Sequence, residues 1–171
     1  MMGNAFYPDE WLDSAYDIPY EQFYQKGMRG IIFDIDNTLV PHGAPADERA
    51  VQLFERLRAI GFHTCLLSNN KEARAPFAGQ VDSDYIYKGR KPKRSGYRQA
   101  MRRMGTGERS TMFVGDQLFT DVYGARRTGI YSILVKPINP KEEIQIVLKR
   151  YLEKIVLWFY VRRQEKNSGS L

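Results

Sequence analysis

Cysteine is nearly absent from this chain. Cys65 stands alone, which excludes an intrachain disulfide framework and a cysteine-based zinc cluster. Histidine is almost as scarce; His42 and His63 are isolated and read as surface or packing residues rather than ligands. Long apolar runs are missing too, since no stretch approaches the ~18 residues that suggest a membrane span. The opening MMGNAFYPDEWLDSAYD is acidic and aromatic, without the basic-then-apolar order of a secretory signal, so a reducing cytoplasm is the expected compartment. Acids are sparse between 88 and 109, where Glu108 faces nine bases (Lys88, Arg90, Lys91, Lys93, Arg94, Arg98, Arg102, Arg103, Arg109). Residues 1–28 reverse that balance, with five acids against one base. The basic run is either a solvated face or a field that attracts nucleic acid, acidic lipid or a phosphorylated substrate.

What is present is enough apolar material for a core. Hydrophobic residues make up 43% of 171 positions, the proportion of an ordinary one-domain globular protein. The chain alternates between strand and helix patterns. Gly30–Asp34 reads as a strand, and a helix follows over Asp47–Ile60, with Val51, Leu53, Phe54 and Leu57 at three- and four-residue spacing. Thr64–Leu67 is a second strand, ending in Ser68-Asn69-Asn70, whose side chains suit the cap of a following helix. Tyr85–Tyr87 is a weak third strand, and Tyr97, Met101 and Met104 line a basic helix ending near Gly105. Thr111–Val114, a helix around Leu118–Arg127 and a strand over Tyr131–Val135 complete the series. About five such strands predict an α/β, doubly wound, Rossmann-like parallel sheet with helices on both faces. The expected divisions are a helical extension at 1–28, in which Trp11 packs a helix, a catalytic core at 29–140, and a carboxyl-terminal region at 141–171.

Ligands in such sheets bind beyond the carboxyl ends of the strands. Three polar clusters fall there: Asp34-Ile35-Asp36, Ser68-Asn69 and Gly115-Asp116, while a fourth, around Lys91, follows the weak strand. Asp34 and Asp36 are two apart, so strand alternation directs both to one side. Two carboxylates ~4 Å apart repel by roughly 1 kcal/mol in water, and more in a shielded site. Taken alone the pair could be an acidic turn, and Asp116 and Asp121 could merely cap a helix. Four carboxylates at one sheet edge instead suggest a hard cation such as magnesium.

In order and spacing these stations resemble the haloacid dehalogenase (HAD) superfamily over roughly residues 28–136. Asp34-Ile35-Asp36-Asn37-Thr38 is similar to the DxDxT motif of its phosphatases; Leu66-Leu67-Ser68, Lys91, and Gly115-Asp116 with Asp121 are similar to the other three. The resemblance implies roles. Asp34 would be the nucleophile, forming an aspartyl-phosphate, and Asp36 the general acid and base. Lys91 would offset negative charge; Thr38, Ser68 and Asn69 would bind substrate. Asp34, Asp116, Asp121 and the backbone carbonyl of Asp36 would hold Mg2+. Lys88 and Lys93 compete for the lysine role; Lys91 is preferred because Lys-Pro introduces the next helix, with Pro92 suited to its first turn.

Only 29 residues separate Thr38 from Ser68, and 22 separate Ser68 from Lys91, so neither gap holds the cap domain of many relatives. An open site accepts large substrates. Within the superfamily the likeness is closest to the capless YqeG-type subgroup, related to phosphatidylglycerophosphate phosphatases, on GIIFDIDNTLV (30–40), Lys91-Pro92, Val114-Gly115-Asp116-Gln117, Thr120-Asp121-Val122 and GIYSILV (129–135). It implies dephosphorylation of phosphatidylglycerophosphate, and the carboxyl-terminal region bears on an anionic membrane surface as partner. The run IVLWFYV (155–161) between Lys154 and Arg162-Arg163 is then either an interfacial anchor or a helix packed on the sheet or on a second subunit of a homo-oligomer. Competing readings are a phosphatase of nucleic acid ends or small metabolites, and a silent module that binds a phosphorylated partner.

Overall fold

The computed structural model describes residues 3–70 and 74–140. The chain divides after Ile138, which leaves every station named above in the amino-terminal unit. The run 155–161 lies outside the described residues.

Six strands form one parallel sheet: β1 (Glu10–Leu12), β2 (Gly30–Phe33), β3 (His63–Leu67), β4 (Asp84–Ile86), β5 (Thr111–Gly115) and β6 (Tyr131–Val135). Their order is β1-β6-β5-β2-β3-β4. Five of them match the predicted strands. The extra strand, β1, comes from the amino-terminal segment and pairs with β6, Glu10 opposite Ile133. Asp9 secures that edge, since its carboxylate accepts from the Ser132 N–H at 2.8 Å and hydroxyl at 3.0 Å. Trp11 therefore packs no helix; it sits on this edge strand with 67% of its surface exposed. The amino-terminal helix α1 (Tyr20–Gln25) is anchored instead by buried Tyr20 and Phe23.

Strand alternation divides the core between the two faces. Ile31, Phe33, Leu66, Met112 and Val114 join one cluster, with Tyr20 and Phe23 of α1, Leu53, Phe54 and Leu57 of α2 (Glu48–Ile60), and Phe77 of α3 (Ala75–Val81). Ile32, Cys65, Leu67 and Phe113 join the other, with Tyr97, Met101 and Met104 of α4 (Arg94–Met104) and Ala125 of α5 (Tyr123–Thr128). Asp47 caps α2 by accepting from the Ala50 N–H at 2.8 Å, a contact worth about 1 kcal/mol. Gly61, Gly105 and Gly129 end α2, α4 and α5 in left-handed geometry.

Two local expectations differ from the structure. Pro92 follows a cis Lys91–Pro92 bond and precedes Lys93, the cap of α4, so it lies outside that helix's first turn. Ser68, Asn69 and Asn70 do not cap α3, whose cap residue is Arg74. Their side chains are engaged within the site instead.

Candidate active site

β2 lies between β5 and β3, so its carboxyl end meets both neighbours' ends at the middle of the sheet. The strand stops at Phe33; Asp34 still bonds the Val114 carbonyl through its N–H at 3.0 Å. The chain then turns tightly, with the Leu39 N–H on the Ile35 carbonyl at 2.9 Å and Asn37 at φ 62°. Because the turn begins so early, strand alternation does not reach Asp36. The two aspartates face different partners.

Asp34, Asp116 and Asp121 converge, each with a carboxylate oxygen within 4.8 Å of the others. Lys91 reaches them from the loop after β4, its Nζ donating to Asp34 Oδ1 at 2.6 Å and Asp121 Oδ1 at 2.8 Å. Lys91 is buried, while Lys88 and Lys93 are exposed. Thr38 Oγ1 lies 3.2 Å from Asp116 Oδ1 and 3.5 Å from Asp34 Oδ2. Asp121 is fully buried, on a π-helical turn over Leu118–Val122, and it caps that turn by accepting from the Gln117 N–H at 3.2 Å. Tyr97 of α4 holds the turn from behind, donating its hydroxyl to the Thr120 carbonyl at 2.8 Å. Gly115 is required for space, because a Cβ there would stand 2.4 Å from Asp121 Oδ2.

The electrostatics of this group are unbalanced. Burial is the main force lifting Asp34 to about 6; Lys91 opposes it and Asp121 adds to it. Burial also lifts Asp116, to about 8, reinforced by Asp121 and then Asp34. Burial would lower Lys91, yet Asp121 and Asp34 outweigh it and hold the ammonium well above its usual range. Three carboxylates against one lysine leave a deficit of positive charge. The donor set is all oxygen, at a sheet rim where substrate phosphate and water can complete a coordination sphere, and this suits magnesium. A divalent ion there would reverse the upward shifts of Asp34 and Asp116.

Asp36 has separate surroundings. Its carboxylate accepts from the Gly43 N–H at 2.8 Å and Asn70 Nδ2 at 3.1 Å, and it lies 3.2 Å from an Arg74 terminal nitrogen and 3.9 Å from His42 Nδ1. Its carboxylate is absent from the converging trio; the expected metal contact ran through its backbone carbonyl. Ser68 is buried at the end of β3, its hydroxyl accepting from the Asn70 N–H at 3.0 Å. Asn69, expected to contact substrate, is engaged with the loop that carries Lys91. Its side chain brackets the Lys91 backbone, accepting from the N–H at 2.6 Å and donating to the carbonyl at 2.9 Å. It therefore positions the lysine.

Sequence reasoning missed Arg74, Asn70, Gly43 and Tyr97. Tyr97 could have been found, since a hydroxyl on the buried stripe of a helix needs a polar partner. Arg74 and Gly43 carry no local pattern that leads to Asp36.

Comparison with known proteins shows the family of the chain. The family described as "HAD-hyrolase-like" matches residues 89–138. "Probable phosphatase YqeG" of Bacillus subtilis is 34% identical over 159 residues, covering 92% of each chain. A chloroplastic/mitochondrial phosphatidylglycerophosphate phosphatase of Arabidopsis thaliana is 26% identical over 158 residues, covering 85% of this chain and 45% of that protein. Among solved structures, a HAD phosphatase from Thermococcus onnurineus superposes with a TM-score of 0.50 at 21% identity, over 75% of this chain and 57% of that one.

Proposed function

Because this chain belongs to the haloacid dehalogenase superfamily, in its YqeG-like branch, and hydrolyses phosphate esters, we propose that it is a magnesium-dependent phosphomonoesterase using Asp34 as nucleophile. The observation that carries the proposal is the convergence of the Asp34, Asp116 and Asp121 carboxylates at the central strand's end, where Lys91 pairs with two of them, Asp34 and Asp121. Asp34, Asp116, Asp121 and the backbone carbonyl of Asp36 would hold the ion. When bound, it supplies charge neutralisation and polarises a phosphoryl oxygen. Lys91 keeps one oxygen of Asp34 fixed and balances charge as the carboxylate attacks phosphorus. Thr38 and Ser68 offer hydroxyls to the transferred phosphoryl group. Asp36 protonates the departing alkoxide, then takes a proton from the water that hydrolyses the aspartyl-phosphate. Magnesium-dependent phosphate release from an aryl phosphate, abolished by Asp34→Asn, is the expected result; a D34N enzyme that kept its activity would end the proposal, and so would metal-independent turnover.

For substrate we propose phosphatidylglycerophosphate. The similarity to the Arabidopsis protein supports it, and so does the short connection between Thr38 and Ser68, which holds α2 and β3 and no inserted domain. A peripheral position on an anionic membrane face fits as well: Lys88, Arg90 and Lys93 are exposed on the loop that delivers Lys91, with Tyr87 43% exposed beside them. No helix among the described residues is long and apolar enough to cross a membrane. The exposed stripe Arg94, Arg98, Arg102 on α4 favours a second reading, a phosphatase of nucleic acid ends. Phosphate release from phosphatidylglycerophosphate vesicles, with none from 5′-phosphorylated oligonucleotides, supports the lipid; the converse selects the second reading.

A further inference from the structure

Arg74 is an anomaly. It is 7% exposed, and isolated buried cations cost several kcal/mol unless they are paired. Among the described residues its one carboxylate neighbour is Asp36, 3.2 Å from a terminal nitrogen. Its guanidinium carbon lies over the ring of buried Phe77 of α3, 5.3 Å from the centroid. Nε and that terminal nitrogen are both sealed from solvent, and among the described residues neither makes a well-directed hydrogen bond. Core packing does not account for such a group. A buried polar atom without a partner calls for a specific explanation, and a role in the reaction is one.

The explanation lies in what Asp36 has to resist. Its charge and that of Asp34 feel each other, and Asp116 stands beyond. Left to itself, the Asp36 carboxylate would be driven from these anions towards solvent. The Gly43 N–H and Asn70 fix two points of its position from exposed loops. Arg74 adds a full opposite charge on a rigid mount. We infer that Arg74 is a positioning residue for Asp36, holding the acid–base carboxylate beside the phosphoryl site through both half-reactions. It touches neither substrate nor metal; it acts through where Asp36 sits. The inference rests on the reading of Asp36 as the proton donor.

The leaving group separates this role from a structural one. An alkyl phosphate expels an alkoxide that needs a proton, whereas p-nitrophenyl phosphate expels a phenolate that does not. Since kcat/KM covers only the steps up to departure of the leaving group, misplacing Asp36 lowers it for the first substrate and spares it for the second. Dephosphorylation, which needs Asp36 as base, then limits turnover of the aryl ester and produces a burst of nitrophenolate. For Arg74→Gln we expect kcat/KM on glycerol 3-phosphate to fall roughly 100-fold, at the low end of general acid catalysis, and on p-nitrophenyl phosphate less than about fivefold. Arg74→Lys should restore part of the difference, and the magnesium-induced rise in melting temperature should persist in both variants. Equal losses on the two substrates would overturn the inference, as would no loss on either. If R74Q does not fold, R74K decides, with at least a fivefold difference between substrates expected and its absence fatal. Asp36→Asn is the control. Should D36N itself hit both substrates equally, the reading of Asp36 fails; a split in D36N without one in the Arg74 variants defeats only the inference.

Discussion

Two carboxylates two residues apart are treated in opposite ways by this fold. Asp34 is buried against Lys91, Asp116 and Asp121, in a pocket whose negative charge exceeds its positive charge. Asp36 is cradled by one N–H, one amide and one guanidinium. The first pocket gathers oxygen ligands with a deficit of positive charge. The second already holds its carboxylate among donors. Nothing in the spacing of the pair forces this division; it follows from β2 ending at Phe33 and the chain reversing immediately afterwards.

That contrast can be broken from the Asp34 side with the largest effects. Asp34→Asn removes the proposed nucleophile and should lower kcat by roughly 10⁴-fold or more on every substrate, whatever its leaving group. Lys91→Met leaves two buried carboxylates without their cation and should cost about 10²–10³-fold in phosphate-release assays. Lys88→Met and Lys93→Met should stay within about threefold, because both side chains lie in solvent.

A sharper comparison comes from pH. The metal-free Asp116 carboxyl is lifted to about 8, so it favours folding below its ordinary range near 4, and that contribution disappears as pH rises through 8. The melting temperature of the metal-free protein should therefore fall between pH 5 and 8 by thermal melt, with roughly 1 mM magnesium restoring it at the upper end. Asp116→Asn should flatten both responses. The smallest expected effect is Tyr97→Phe. Loss of the hydroxyl that holds the Thr120 carbonyl costs about 1 kcal/mol of stability by denaturant titration, together with a few-fold drop in magnesium affinity as Asp121 loosens.

Much of the fold was legible because its signals are local. Apolar runs ending in Asp34, Ser68 and Asp116 mark strands feeding one edge, and Asp47 and Gly61 punctuate α2 where the pattern starts and stops. β1 escaped because three residues of Glu-Trp-Leu carry no readable alternation, and their strand character comes from pairing with β6. In the site, the identities at 34, 91, 116 and 121 came through the order of motifs. Their division of labour did not. That Asn69 brackets Lys91, 22 positions along the chain, and that Arg74 faces Asp36 are products of tertiary closure, which no window of sequence contains.

Strand order has a kinetic corollary. Asp34 lies on β2, Lys91 beyond β4, and Asp116 and Asp121 beyond β5, yet β2 is sandwiched between β3 and β5. No hairpin or single helix–strand unit contains a working set of these groups, so a fragment or half-folded chain holds isolated acids and no centre. Refolding should recover turnover in step with the last long-range pairing rather than with the early gain of helix, and heat should extinguish activity and tertiary structure in one transition.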